Sequence, residues 1–150
     1  MLKKIFLILS IFILTNCGYE PIYSQKNKPN ISIKDYKLDG NKTLNRQIFS
    51  KLNLRVNKNN QAGHDLILNS SKTLSIISKD KAGNASIYKT TINSKVSLKM
   101  NDKVIKTKKF SSSFTYNNLN NKSDLANYQR NIEKNLINKI GEEILIFLGI

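Results

Sequence analysis

Two reactive side-chain types occur once each in this 150-residue chain, as Cys17 and His64. A lone thiol has no partner for an internal disulfide, so its chemistry lies elsewhere. It closes the tetrapeptide Leu14-Thr15-Asn16-Cys17, directly after an apolar run. This resembles a lipobox, although Asn16 is larger than the Gly, Ala or Ser usual before the cysteine. The chemistry expected is attachment of diacylglycerol to the Cys17 sulfur, cleavage before it, and N-palmitoylation of the amine thus exposed. His64 sits in the polar stretch NKNNQAGHD (57–65) with no second His or Cys to share a metal, so a solvated loop histidine is expected. Glu142 and Glu143 are adjacent on a helical pattern and point in different directions, as solvated residues do. Neither GxSxG, a Walker A loop nor GxGxxG occurs. No catalytic residue, metal site or cofactor is expected, and the chain reads as a non-enzyme.

The segment before Cys17 fits this chemistry. Lys3 and Lys4 form a positive start, and Ile5 to Leu14 form an apolar run. That run is shorter than the roughly 20 residues needed to span a bilayer, but it suits a secretory leader. The expected organisation is a leader over 1–16, removed on export; a lipidated start and tether over 17–30, containing Pro21 and Pro29; and one domain over 31–150. The formal charge is +15, from 25 Lys+Arg against 10 Asp+Glu; losing Lys3 and Lys4 leaves +13. In a cytosolic protein this would suggest nucleic acid. An exported chain meets anionic headgroups and phosphorylated glycolipid instead, and no aromatic stack or arginine cluster interleaves the lysines, so no nucleic-acid partner is expected. The lysines crowd one region: Lys79, Lys81, Lys89, Lys95, Lys99, Lys103, Lys106, Lys108 and Lys109. Two readings stand side by side, solvated lysines that deter edge-to-edge pairing and an anion-binding surface.

The elements that must position these groups follow from periodicity. Ile31, Ile33, Tyr36 and Leu38 suggest a strand with a bulge near Lys34 and Asp35, ended by Asp39-Gly40-Asn41. Leu44, Ile48, Phe49 and Leu52 share a helical face, with Asn41 or Thr43 able to cap it. Three strands follow: about 66–78, 86–100 and 104–116, joined by a turn at Lys79 to Asn84 and a tight turn at Asn101-Asp102. Leu66, Leu68, Leu74 and Ile76 share one face of the first, and the hairpins share the middle strand. Leu125, Tyr128, Ile132, Leu136, Ile140, Ile144 and Leu148 make one stripe of a final helix that Ser123 could cap. The tail Ile144 to Ile150 is apolar almost all round, so deep burial or a protein contact is expected. The fold class expected is α+β: a two-layer sandwich of one mostly antiparallel four-stranded sheet with two helices on one face, in the order β-α-β-β-β-α.

The start of the mature chain, Cys17-Gly18-Tyr19-Glu20-Pro21-Ile22-Tyr23, resembles that of LptE-type lipopolysaccharide-assembly lipoproteins. Tyr19 and Ile22 stand where Phe and Leu are common in that family. The element order and size are similar over the rest of the chain. The resemblance implies an outer-membrane lipoprotein, its domain on the periplasmic side, that complexes with the LptD barrel as plug and assembly factor and aids insertion of lipopolysaccharide into the outer leaflet. Gly18 is not the aspartate that retains lipoproteins in the inner membrane of well-studied systems. Lys79 and Lys81 are candidate lipopolysaccharide contacts by chemistry and place. A pilotin-like lipoprotein for a secretin or other barrel, or a periplasmic binding or inhibitor module, are the alternatives.

Overall fold

The computed structural model describes residues 31–149. Cys17, the leader and the tether lie outside the described residues. The elements are β1 (Ile33–Gly40), α1 (Lys42–Leu52), β2 (His64–Lys79), β3 (Ala85–Met100), β4 (Lys103–Asn117) and α2 (Lys122–Leu148). They form one four-stranded sheet in the order β1-β2-β3-β4, parallel between β1 and β2 and antiparallel elsewhere. Both helices pack on one face, which is the expected sandwich. The register shift expected in β1 falls between Ile33 and Asp35 and puts Tyr36, Leu38 and Gly40 on the helix side of the sheet.

Local chemistry explains the boundaries. The Asn41 side chain accepts from the Leu44 N–H, satisfying one donor of the first turn of α1. The Asn45 side-chain amide, fully buried, donates to the Asp39 carbonyl and ties the helix to the strand it follows. Tyr36 stacks on Phe49 with ring centroids 4.2 Å apart. At α2 the cap is Asn121 rather than Ser123: its side chain accepts from the N–H groups of Ser123 and Asp124. The left-handed Gly149 (φ +81°) ends that helix.

The core lies between the lower half of the sheet and the helices. Leu66, Leu68, Ile92, Val96 and Leu98 meet Leu44, Ile48, Leu52, Ile132, Leu136, Ile140, Ile144 and Leu148, all buried. Two short polar bridges lie within this layer, Ser70 to Ser94 at 2.9 Å and Thr90 to Tyr116 at 3.1 Å, so these hydroxyls pair rather than stand alone away from water. Cover stops there. Residues 71–77 of β2 are exposed on both faces, and Leu74 and Ile76, on the same face as Leu66 and Leu68, are about half exposed. The distal β2–β3 hairpin projects past the shorter helix as a two-sided ribbon. His64 is not a loop residue as expected. It opens β2, where its N–H donates to the Ser32 carbonyl, and it is half-buried, with Nδ1 out of contact with solvent.

Candidate functional site

The lysine-rich hairpins divide once they fold. On the helix side of β4, the Lys106 ammonium donates to the Phe147 carbonyl at 2.6 Å and lies 4.6 Å from the Phe147 ring centroid, while Lys108 stands 5.3 Å from the Phe110 centroid. These two complement the carbonyl end of α2, where the helix dipole favours cations. Lys72 forms an ion pair with Glu133 at 2.8 Å. β4 is an unpaired edge of the sheet, so Lys106, Lys108 and Lys109 also discourage another strand from adding there.

The opposite face of the sheet carries no helix. Strand register sets Lys95 directly opposite Lys109, with Asn69 on the other side of Lys95; the next row is Ser71, Asn93 and Ser111. Together they line a shallow groove of about 470 Å³. Neither lysine has an acidic partner among the described residues. Like charges directly opposite on antiparallel strands are unfavourable, and an anion between them relieves the repulsion. The amides and hydroxyls around the pair offer further hydrogen-bond donors and acceptors. The surface is therefore suited to a phosphate attached to a polar, uncharged body. Sequence reasoning placed both lysines in a basic region but not beside one another; only the register does that.

Lys79 and Lys81 lie elsewhere. Lys79 is the last residue of β2, opposite Ala85, and Lys81 is in the connecting turn; both are exposed. Ten residues of β2 separate Lys79 from the Asn69 row, about 33 Å at strand rise. The structure thus does not join the two lysine groups in one site. The turn itself is ordered by Asp80, whose carboxylate accepts from the N–H groups of Asn84 (2.8 Å) and Ala82 (2.9 Å), while Gly83 takes a left-handed φ of +85°. The Asn84 N–H, foremost among these donors, holds the Asp80 carboxyl below the ordinary aspartate range. A depressed folded-state pKa gives order that is complete above the unfolded pKa and is lost as pH falls through the folded value. Amide protection at Ala82 and Asn84, taken relative to the intrinsic exchange rate at each pH, should therefore fall on acidification below the ordinary aspartate range and hold above it. Unchanged protection across that window would show that the carboxylate does not order the turn. Next to this tip, Leu74, Ile76 and Phe114 form an apolar shelf on the helix side, about half exposed, with Tyr128 at its foot.

Among the described residues no three His, Asp or Glu side chains converge as a metal site, and no helix is long and apolar enough to cross a membrane. By sequence, the chain matches no family model and no curated protein. By structure it is similar to the rare lipoprotein B of Shewanella oneidensis (17% identity, TM-score 0.58), covering 74% of this chain and 90% of that one. It is also similar to a minor lipoprotein from Acinetobacter baumannii (8% identity, TM-score 0.60), over 79% of this chain and 93% of that one. A third is lipoprotein B of Nitrosomonas europaea (11% identity, TM-score 0.54), with 77% and 81% covered. The likeness is one of fold.

Proposed function

We propose that this chain is a non-enzymatic outer-membrane lipoprotein of the LptE type, anchored by acyl chains on Cys17, that complexes with the LptD barrel and aids delivery of lipopolysaccharide to the outer leaflet. The observation that carries the reading is the fold shared with lipoproteins over three quarters of the chain, joined to a lipobox and an LptE-like mature start on the same sequence. The geometry is compatible in two respects. The polar open face and basic tip suit a hydrophilic barrel lumen, and the paired Lys95 and Lys109 suit lipid A phosphates. Lys79 and Lys81 remain proposed contacts at the tip.

Capture of the tagged chain from its own envelope, followed by mass spectrometry, should recover LptD, and depletion should leave LptD misassembled and surface lipopolysaccharide reduced. Recovery of a secretin instead, with normal lipopolysaccharide on depletion, would establish the pilotin alternative.

The open-face site has its own test, because one substitution should move two properties in opposite directions. Lys95→Glu puts a carboxylate opposite Lys109, replacing repulsion by attraction, and should raise stability by about 0.2–1 kcal/mol. The same change should weaken binding of a phosphorylated lipid A disaccharide several-fold, through loss of one charge-assisted contact. Denaturant midpoints and glycolipid titration read the two effects separately. A stabilised variant with undiminished binding would remove Lys95 from the site.

A further inference from the structure

β4 is an edge strand whose two halves differ in charge. The lower half carries Lys103, Lys106, Lys108 and Lys109, whereas no side chain from Phe110 to Asn117 (FSSSFTYN) is charged. The charges that discourage strand pairing therefore stop at Lys109. The Asn118 N–H donates to the carbonyl of Ser86, so alternation along the ladder turns the backbone groups of Tyr116, Phe114, Ser112 and Phe110 toward β3. Those of Asn117, Thr115, Ser113 and Ser111 point away from the sheet and have no backbone partner among the described residues. Beside this edge, α2 and β4 leave a notch of about 130 Å³ between Phe114, Tyr128, Asn131, Ile132, Asn135 and Leu136. Buried Ile132 and Leu136 form its floor, while Phe114 is 47% and Tyr128 40% exposed. The α2 residues that line the groove shared with α1 are Arg130, Glu133, Lys134 and Ile137, on the opposite flank of the helix, so the notch opens toward the free edge of β4. An apolar cavity of roughly 150 Å³ holds a benzene ring, so one aliphatic side chain fits here.

We infer that the upper edge of β4 takes up an extended segment of a partner protein as a fifth strand, with one apolar side chain in the notch and one carboxylate on Lys109. Antiparallel addition, the commoner kind and the one β4 already makes with β3, fixes the order of these two groups. The segment's residue opposite Phe114 forms a non-hydrogen-bonded pair, in which side chains approach most closely, and it points to the helix side. Five residues later the segment reaches Lys109, on the open face, and an odd separation along a strand puts the two recognised side chains on opposite faces. The motif is an apolar residue followed, after four others, by an acid. Charge selects such a partner. β3 and β4 contain no acid, and Lys109 already faces Lys95. Lys106 and Lys108 are engaged at the end of α2, and Glu142 and Glu143 belong to that helix, across the sheet from Lys109. A second copy of this chain has no acid on its own β4, and two chains of formal charge +15 repel.

Blocked octapeptides of Thr and Ser serve as probes on the full chain, one with Leu at its second and Glu at its seventh position, the other with these two exchanged. Glycolipid is left out, because its phosphate in the proposed function competes for Lys109. The first peptide should bind about ten-fold tighter than the exchanged one by fluorescence anisotropy. Ser113→Pro removes an N–H that points away from the sheet, so β4 keeps its ladder to β3 while an added strand loses a central bond. It should abolish peptide binding and leave the circular dichroism spectrum unchanged. Lys109→Glu should reject the Glu peptide and accept one with Lys in its place; this swap decides the matter if S113P does not fold. Absent binding, equal affinities of the two peptides, binding that survives S113P in a folded chain, or a K109E chain that still prefers Glu each overturns the inference. Dimerisation of the chain alone, removed by S113P, assigns the edge to a second copy and overturns it too.

Discussion

Cys17→Ser will accumulate as the full-length chain, with the leader still attached and no acyl group incorporated. Serine keeps the size of the side chain but replaces the thiol that, in the proposed lipidation, takes up diacylglycerol before the cut ahead of residue 17. The effect is close to all-or-none because anchoring depends on chain number: each buried methylene contributes about 0.8 kcal/mol, so two or three acyl chains hold a protein stably where one gives marginal binding. Labelled palmitate and the mass of the product read the result, and fractionation of the parent with Cys17 intact should place it with outer-membrane markers. A serine variant that is still cut after Asn16 and recovered acylated would refute the lipidation.

The second large effect concerns the fold. Ile140 is fully buried in α2, within the cluster that includes Ile48 and Ile144. Ile140→Ala removes three carbons from that layer and leaves a cavity that two helices and a sheet fill only in part. The expected cost is about 2–5 kcal/mol, a large share of the 5–15 kcal/mol that stabilises a typical domain. Ile146→Ala, on the exposed side of the same helix, should stay within about 0.5 kcal/mol in solution. Chemical denaturation of the two variants in parallel checks the contrast. Equal losses would mean that the last two turns of α2 do not pack as described.

Much of this architecture is legible in the residues because period and burial agree. The stripe from Ile132 to Leu148 and the alternation from Tyr88 to Leu98 each meet the partner surface that their spacing implies. Leu74 and Ile76 show where such reading stops. Their phase along β2 identifies the correct face, but phase does not say whether anything covers it. The 11 residues of α1 extend only about 16 Å, whereas the 16 of β2 extend about 50 Å. His64 was hidden differently: its polar neighbours suggest a loop, while a single backbone bond to Ser32 extends the ladder to include it. At α2, Asn121 and Ser123 are both competent caps, and the tertiary path of the loop selects the earlier one. The Lys95–Lys109 juxtaposition depends on which residues of two strands end up opposite, a property of pairing that neither segment carries alone.

The long hairpin also sets a distance. β2 and β3 each run 16 residues, so the turn at Asp80 stands about 50 Å from the end where the chain enters the sheet. A bilayer with its headgroups measures about 40–45 Å. A domain tethered at one leaflet and lodged in a transmembrane lumen with its strands along the pore axis is thus long enough to be sensed on the other side. The sheet becomes a ruler, graduated at about 3.3 Å per residue along β2 and β3.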